Sequence, residues 1–138
     1  VGFGLAMTQR DKPVLVLTGD GEMLMGLGAL ASIGQKLPPN LTIAVLDNGH
    51  YGETGMQTSH TGRDIELARF AEAANFPWTR VVTDMDGVSD LRTRMQSQSG
   101  TSFAAIKIAA ENLPRALPPR DGVHVKNRFR AALGLSTI

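Results

Sequence analysis

Asp20 stands between Gly19 and Gly21, and Asn48 follows 28 positions later inside Asp47-Asn48-Gly49. One carboxylate and one amide each offer a hard oxygen. Two such oxygens are too few to cage Mg²⁺ unaided, but they suit a Mg²⁺ that also takes phosphate oxygens from a ligand. Gly19 and Gly21 carry no side chain, so the backbone there can approach that ligand closely. A helix opening after Gly21 would turn its free N–H groups toward an anion. Together these residues predict a metal-bridged diphosphate. Gly-Asp-Gly by itself is a turn signal, so the elements around it must decide. No Gly-x-x-x-x-Gly-Lys-[Ser/Thr] loop occurs, and Leu24 stands where a Gly-x-Gly-x-x-Gly fingerprint would need its last glycine.

The flanking pattern supports a site. Val14 to Thr18 is a short aliphatic run, apolar on both faces, as expected of a buried parallel strand, and Leu41 to Leu46 repeats it. Both end in the polar clusters just named. In an open α/β sheet, ligands bind beyond the carboxyl ends of the strands, so both clusters arrive at one edge. Glu22 to Gln35 reads as a helix, with Met23, Leu27, Leu30, Ile33 and Leu37 at helical spacing. Gly26 and Gly28 each weaken it by ~1 kcal/mol. The stretch from Asp47 to Gly62 is long for a connection and rich in Gly and His, as functional loops often are.

Further on, 65–74 reads as a helix with Ile65, Ala68, Phe70 and Ala71 toward the core. Trp78–Thr83 and Ser102–Ala109 read as strands, Gly87–Gln98 and Val123–Leu133 as helices, and Asn112–Pro119 as a Pro-rich connector. Trp78 is expected in the core. Pro13 is expected to end a first helical stretch. Alternating strands and helices predict an α/β fold, a three-layer sandwich on a mostly parallel sheet. Residues 1–112 form its core, and 113–138 add a connector and terminal helix to the same domain.

The 138 residues hold 14 Lys and Arg, 13 Asp and Glu, and no Cys. That balance gives no case for nucleic acid. No apolar run reaches the ~18–20 residues of a membrane span. The lack of Cys excludes a disulfide scaffold and Cys-ligated metals, and fits a reducing, cytoplasmic setting. Residues 111–138 carry Arg115, Arg120, Lys126, Arg128 and Arg130 against Glu111 and Asp121. Such a basic arm would suit an anionic substrate or a docking partner, or simply a solvated helix face. The chain opens on Val1, and Val1 to Met7 reads as the end of an apolar helix that begins upstream.

Three strings narrow the reading. They are Gly19-Asp-Gly-Glu-Met-Leu-Met-Gly-Leu-Gly-Ala-Leu-Ala-Ser-Ile-Gly34, Leu46-Asp-Asn-Gly-His-Tyr-Gly-Glu-Thr-Gly-Met-Gln57 and Arg120-Asp-Gly-Val-His-Val-Lys-Asn-Arg-Phe129. Gly19-Asp20-Gly21, 26 residues and then Asn48 resembles the cofactor motif of thiamine-diphosphate-dependent enzymes. Over nearly the whole chain, the sequence is similar to the diphosphate-binding half of sulfopyruvate and phosphonopyruvate decarboxylases, especially a separate beta subunit.

That resemblance implies a thiamine-diphosphate-binding fold holding thiamine diphosphate and Mg²⁺. Asp20, Asn48 and the backbone carbonyl of His50 would bind the metal. Gly19, Gly21, Glu22 and Met23 would lie against the diphosphate, with Tyr51, Gly52 and Thr54 also at the cofactor. Thr54, Gly55 and Gln57 match a Thr-Gly-x-Gln element, in which Met56 replaces a second Gly. His50 and Tyr51 are candidate proton donors or substrate contacts, and His60 a weaker one. The resemblance also implies a 2-oxo acid decarboxylase with a small anionic substrate, which Arg120, Lys126 and Arg128 would help neutralise.

The Glu that activates the aminopyrimidine belongs to a pyrimidine-binding domain, so this chain would need such a partner, either an alpha subunit or another domain. A homo- or hetero-oligomer follows. Neither Glu22 nor Glu53 is assigned that role, and Glu22 is expected to cap the helix that follows it. The alternatives are a carboligase of the acetolactate synthase type, which shares the cofactor motif, and a non-catalytic assembly domain that keeps the fold.

Overall fold

The computed structural model describes residues 1–111, 114 and 116–137. Helix α1 (Gly2–Thr8) leads to strand β1 (Val14–Gly19), helices α2 (Asp20–Met25) and α3 (Ala29–Gly34), and strand β2 (Leu41–Asp47). The loop beyond holds two short strands, β3 (His50–Tyr51) and β4 (Gln57–Thr58), and two 3₁₀ turns, Gly52–Thr54 and His60–Gly62. Helix α4 (Leu67–Ala73), β5 (Trp78–Val82), α5 (Met85–Ser97), β6 (Ser102–Lys107) and α6 (Gly122–Ala132) complete the order. Asn112, Leu113 and Arg115 of the expected connector lie outside the described residues.

The main sheet runs β1-β2-β6-β5, and each neighbouring pair is parallel. Its side chains alternate between two faces. On one face Val14, Leu41, Ile43, Val45, Phe103 and Ala105 pack against Ala6 of α1, Met23 of α2, Leu30 and Ile33 of α3, and Leu67 and Ala71 of α4. On the other, Ala44, Ala104 and Val82 pack under Leu91 of α5. Helices therefore lie on both faces of the sheet, in three layers. Leu15 and Leu17 share the α5 face by register but sit at the β1 edge, where they are 48% and 61% exposed.

Several expected elements shift. The single helix over 22–35 is two helices, α2 and α3, with residues 26–28 between them. Gly26 and Gly28 flank that break, and glycine favours it because fixing its backbone in a helix is unfavourable. Helix α1 ends at Thr8, before Pro13. Its end and the chain beyond are held by Asn40, which is buried and whose Nδ2 donates to the carbonyls of Ala6, Gln9 and Lys12 at 3.2, 3.0 and 2.9 Å.

Helix α4 begins at Leu67, so its inward stripe is Leu67, Ala68 and Ala71, and Ile65 and Phe70 are exposed. Trp78 is half-buried rather than core, with the guanidinium carbons of Arg80 and Arg94 5.5 and 5.1 Å from its ring centroid. Among the described residues no helix is long and apolar enough to cross a membrane.

Candidate cofactor site

In β1 and β2, Gly19 lies opposite Leu46. Asp20 and Asn48 therefore leave adjacent parallel strands at the same edge. There a cleft of about 460 Å³ is lined by Gly19, Asp20, Gly21, Glu22, Asn48, His50, Tyr51, Gly52 and Thr54, together with Met25, Leu46, Glu53 and Ile108. Of the residues expected at the site, Met23 is not on that wall, because its side chain is buried in the core. Arg120, Lys126 and Arg128 are exposed and away from the lining.

Local geometry explains why small residues stand here. A Cβ added to Gly21 would come 2.8 Å from Cδ1 of Tyr51, so the ring rests where any larger residue would project. Glu22 caps the start of α2, as expected: Oε2 accepts the Gly19 N–H at 2.6 Å and the Thr18 hydroxyl at 3.0 Å. Acidic groups in a first turn also suit the helix dipole.

The Asn48 amide oxygen accepts the His50 N–H at 2.9 Å. An amide oxygen has two lone pairs, so one stays available. The His50 ring contacts the Asn48 carbonyl through Nδ1 at 2.9 Å. A carbonyl only accepts, so Nδ1 carries the proton and Nε2 of the neutral ring is left as an acceptor. Tyr51 Oη and His60 Nδ1 are 3.2 Å apart.

Thr54 and Gln57 clasp each other. The Thr54 hydroxyl donates to Gln57 Oε1 at 2.9 Å, and Gln57 Nε2 donates to the Thr54 carbonyl at 2.8 Å. Met56, in place of the expected second Gly, takes φ 61°, in the left-handed region. The loop keeps a glycine-like backbone there without the glycine.

Beneath the cleft lies a polar cluster that sequence reasoning missed. Asp20, Asp47, Ser59 and Thr61 are all buried. Asp20 Oδ2 accepts from Ser59 at 2.5 Å and lies 2.9 Å from the Thr61 hydroxyl, which is also 2.7 Å from Asp47 Oδ1. Lys107 Nζ meets Asp47 Oδ2 at 2.7 Å. The one signal in the sequence was Asp47 and Lys107 at the ends of two apolar strands. Nothing marked Ser59 or Thr61 among the polar residues of the loop.

Residues 1–110 match the family described as "Thiamine pyrophosphate enzyme, C-terminal TPP binding domain". The chain belongs to that family. Thiamine pyrophosphate is thiamine diphosphate under another name, and the fold is the family's α/β fold.

Among named relatives, the sulfopyruvate decarboxylase of Methanosarcina acetivorans is 33% identical over 96% of this chain and 34% of its own length. The phosphonopyruvate decarboxylase of Streptomyces viridochromogenes is 33% identical over 95% of this chain and 33% of its own. The sulfopyruvate decarboxylase subunit beta of Methanococcus maripaludis is 32% identical over 96% of this chain and 70% of its own. The chain thus spans about a third of the length of some of these relatives. Benzoylformate decarboxylase from Polynucleobacter necessarius superposes with a TM-score of 0.66 at 19% identity, over 83% of this chain and 23% of that one, a likeness of fold.

For a thiamine-diphosphate-binding domain, the donor set is apt for a phosphate-bound divalent cation. Among the described residues no group of three or more His, Cys, Asp or Glu can hold a metal ion. A cation here needs oxygens from a ligand as well. Among those residues Asp20, 3% exposed, has no cationic partner, whereas Asp47 has Lys107. A buried carboxylate is costly unless paired, so the Asp20 side of the cluster suits a cation in the cleft.

Proposed function

We propose that this chain is the thiamine-diphosphate- and Mg²⁺-binding part of a 2-oxo acid decarboxylase resembling the sulfopyruvate and phosphonopyruvate enzymes. It works with a pyrimidine-binding domain or alpha subunit that supplies the activating Glu. The observation that carries the reading is the convergence of Asp20, Asn48 and His50 on one cleft at the carboxyl ends of β1 and β2. Relatives named as beta subunits support a separate partner chain.

In this reading Asp20 and the Asn48 amide oxygen hold the cation, with the His50 carbonyl as a third protein oxygen. Gly19, Gly21 and Glu22 lie beside the diphosphate, and Gly52 and Thr54 at the cleft's outer wall. The cofactor, when bound, supplies a nucleophilic carbon and a sink for the electrons left when CO₂ departs. His50 Nε2 and the Tyr51 hydroxyl are the groups of this chain on the cleft wall suited to holding a proton near the substrate. Met25, Leu46 and Ile108 add apolar surface to the cleft wall.

Calorimetry on the full protein tests the binding. Thiamine diphosphate with Mg²⁺ raises the unfolding temperature, and Asp20→Ala abolishes the rise. CO₂ release from sulfopyruvate, phosphonopyruvate and pyruvate, measured with the partner present, identifies the substrate. No thermal shift with the partner present would sink the cofactor reading. Release from none of the three 2-oxo acids would sink the decarboxylase reading.

A further inference from the structure

The buried cluster under Asp20 is built in a way that simple cofactor binding does not require. Both hydroxyl contacts to Asp20 fall on the same oxygen, Oδ2: Ser59 Oγ at 2.5 Å and Thr61 Oγ1 at 2.9 Å. Oδ1 has no hydroxyl partner among the described residues. Ser59 and Thr61 also touch each other at 2.9 Å. Each hydroxyl has one proton. Two protons therefore serve Asp20 Oδ2 and Asp47 Oδ1, and Thr61 stands between the two carboxylates, 2.9 and 2.7 Å from them.

Asp47 is fixed from its other sides by Lys107 on Oδ2 at 2.7 Å and by the Gly49 N–H on Oδ1 at 3.1 Å. Lys107 lies opposite Asp47 in the β2–β6 register, so the anchor of the chain Lys107–Asp47–Thr61–Asp20 is the sheet itself.

Resting on the cofactor reading above, we infer that Ser59 and Thr61 are positioning residues that hold Asp20 as a one-oxygen ligand and so tune the site toward a small octahedral cation. The physical reason is the difference between two hard ions. Mg²⁺ demands near-octahedral geometry at short distance and takes carboxylate oxygens singly, whereas Ca²⁺ has a larger, looser shell that accepts a carboxylate through both oxygens. The Ser59 hydroxyl donating to Oδ2, with the single Thr61 proton shared between Oδ2 and Asp47 Oδ1, fixes the rotation of the carboxylate and occupies the oxygen that a bidentate ion would need. Outer partners of this kind typically change metal affinity 10–100-fold when removed.

Mn²⁺, an octahedral probe followed by its electron paramagnetic resonance signal, tests this in the full protein with saturating thiamine diphosphate. Mg²⁺ and Ca²⁺ each compete for the Mn²⁺ site, and the ratio of their competition constants is the readout. The variants are Ser59→Ala, Ser59→Cys, Thr61→Val and Thr61→Ser, with unfolding midpoints measured without ligand.

Ser59→Ala and Thr61→Val weaken Mn²⁺ binding by about 10-fold or more and move the ratio toward Ca²⁺ by a similar factor. Thr61→Ser keeps the hydroxyl and stays within about 3-fold of the parent. Should Ser59→Ala or Thr61→Val fail to fold, Ser59→Cys and Thr61→Ser decide. The weaker thiol donor moves the ratio toward Ca²⁺ and the retained hydroxyl does not.

An unchanged ratio in folded Ser59→Ala and Thr61→Val, or in folded Ser59→Cys where those two fail, overturns the inference. So does a Thr61→Ser shift as large as that of Thr61→Val, which would mean packing rather than the hydroxyl. If the parent protein binds no Mn²⁺ with thiamine diphosphate, or if Asp20→Ala binds it normally, the underlying cofactor reading fails instead.

Discussion

Gly49 and Gly62 touch backbone to backbone at the two ends of the loop that walls the cleft. A Cβ on Gly49 would lie 2.9 Å from Cα of Gly62, and one on Gly62 would run into the Gly49 carbonyl oxygen. The Ser59 N–H donates to that same carbonyl at 2.8 Å. Gly49 takes φ +68°, where any other residue is strained. This neck brings Ser59 and Thr61 back under Asp20.

Gly62→Ala therefore destabilises the fold by ~2–3 kcal/mol, because backbone cannot step aside as a side chain can. Urea unfolding measures the loss. The stabilisation by thiamine diphosphate with Mg²⁺ shrinks with it, since the hydroxyls that reach Asp20 leave with the loop.

Gly21→Ala behaves differently. Its new methyl meets the Tyr51 ring rather than backbone, so the ring swings out and stability falls by less than ~1 kcal/mol. The effect appears in the cleft. Calorimetric affinity for the cofactor drops, and Gly21→Ala combined with Tyr51→Leu recovers part of it.

The parallel sheet, the two strand ends and the Gly-Asp-Gly to Asn48 spacing were legible because each is a local pattern: an aliphatic run, a break and a polar residue. Asp20 and Asn48 are brought to one edge by strand register, which parallel pairing of β1 and β2 dictates. Ser59 and Thr61 were illegible. They reach Asp20 through a loop closed by contacts between glycines 13 positions apart, and no periodicity encodes that path. The break at Gly26 to Gly28 was half legible. Glycine marks weak helix at both positions, but the propensity cost alone does not distinguish a weakened helix from an interrupted one. The inward face of α4 was not legible, because the helix starts at Leu67 rather than Ile65 and that start sets which residues face inward.

Lys107→Met leaves Asp47 buried without its cation. Lys107 is itself 38% exposed at the side chain, so solvent screens part of the loss and the cost is about 1–3 kcal/mol. Adding Asp47→Asn removes the stranded charge. The double variant is then more stable than Lys107→Met alone, and a double-mutant cycle by chemical denaturation reads the coupling.

Met56→Gly raises stability by about 1 kcal/mol, because glycine takes the left-handed φ of Met56 without the Cβ clash of an L-residue. The unfolding midpoint checks the sign. A drop would show that the Met56 side chain contributes more packing than its backbone gives away.

Strand β1 is an outer strand of the main sheet, and Leu15 and Leu17 are 48% and 61% exposed beside it. A strand edge that no other strand among the described residues pairs with, next to exposed leucines, is a template for pairing with another chain. For the isolated 138 residues the limiting property is then colloidal rather than conformational. Light scattering rises with concentration while the circular dichroism stays native, and a Leu17→Lys substitution on the open edge suppresses the scattering without moving the melting curve.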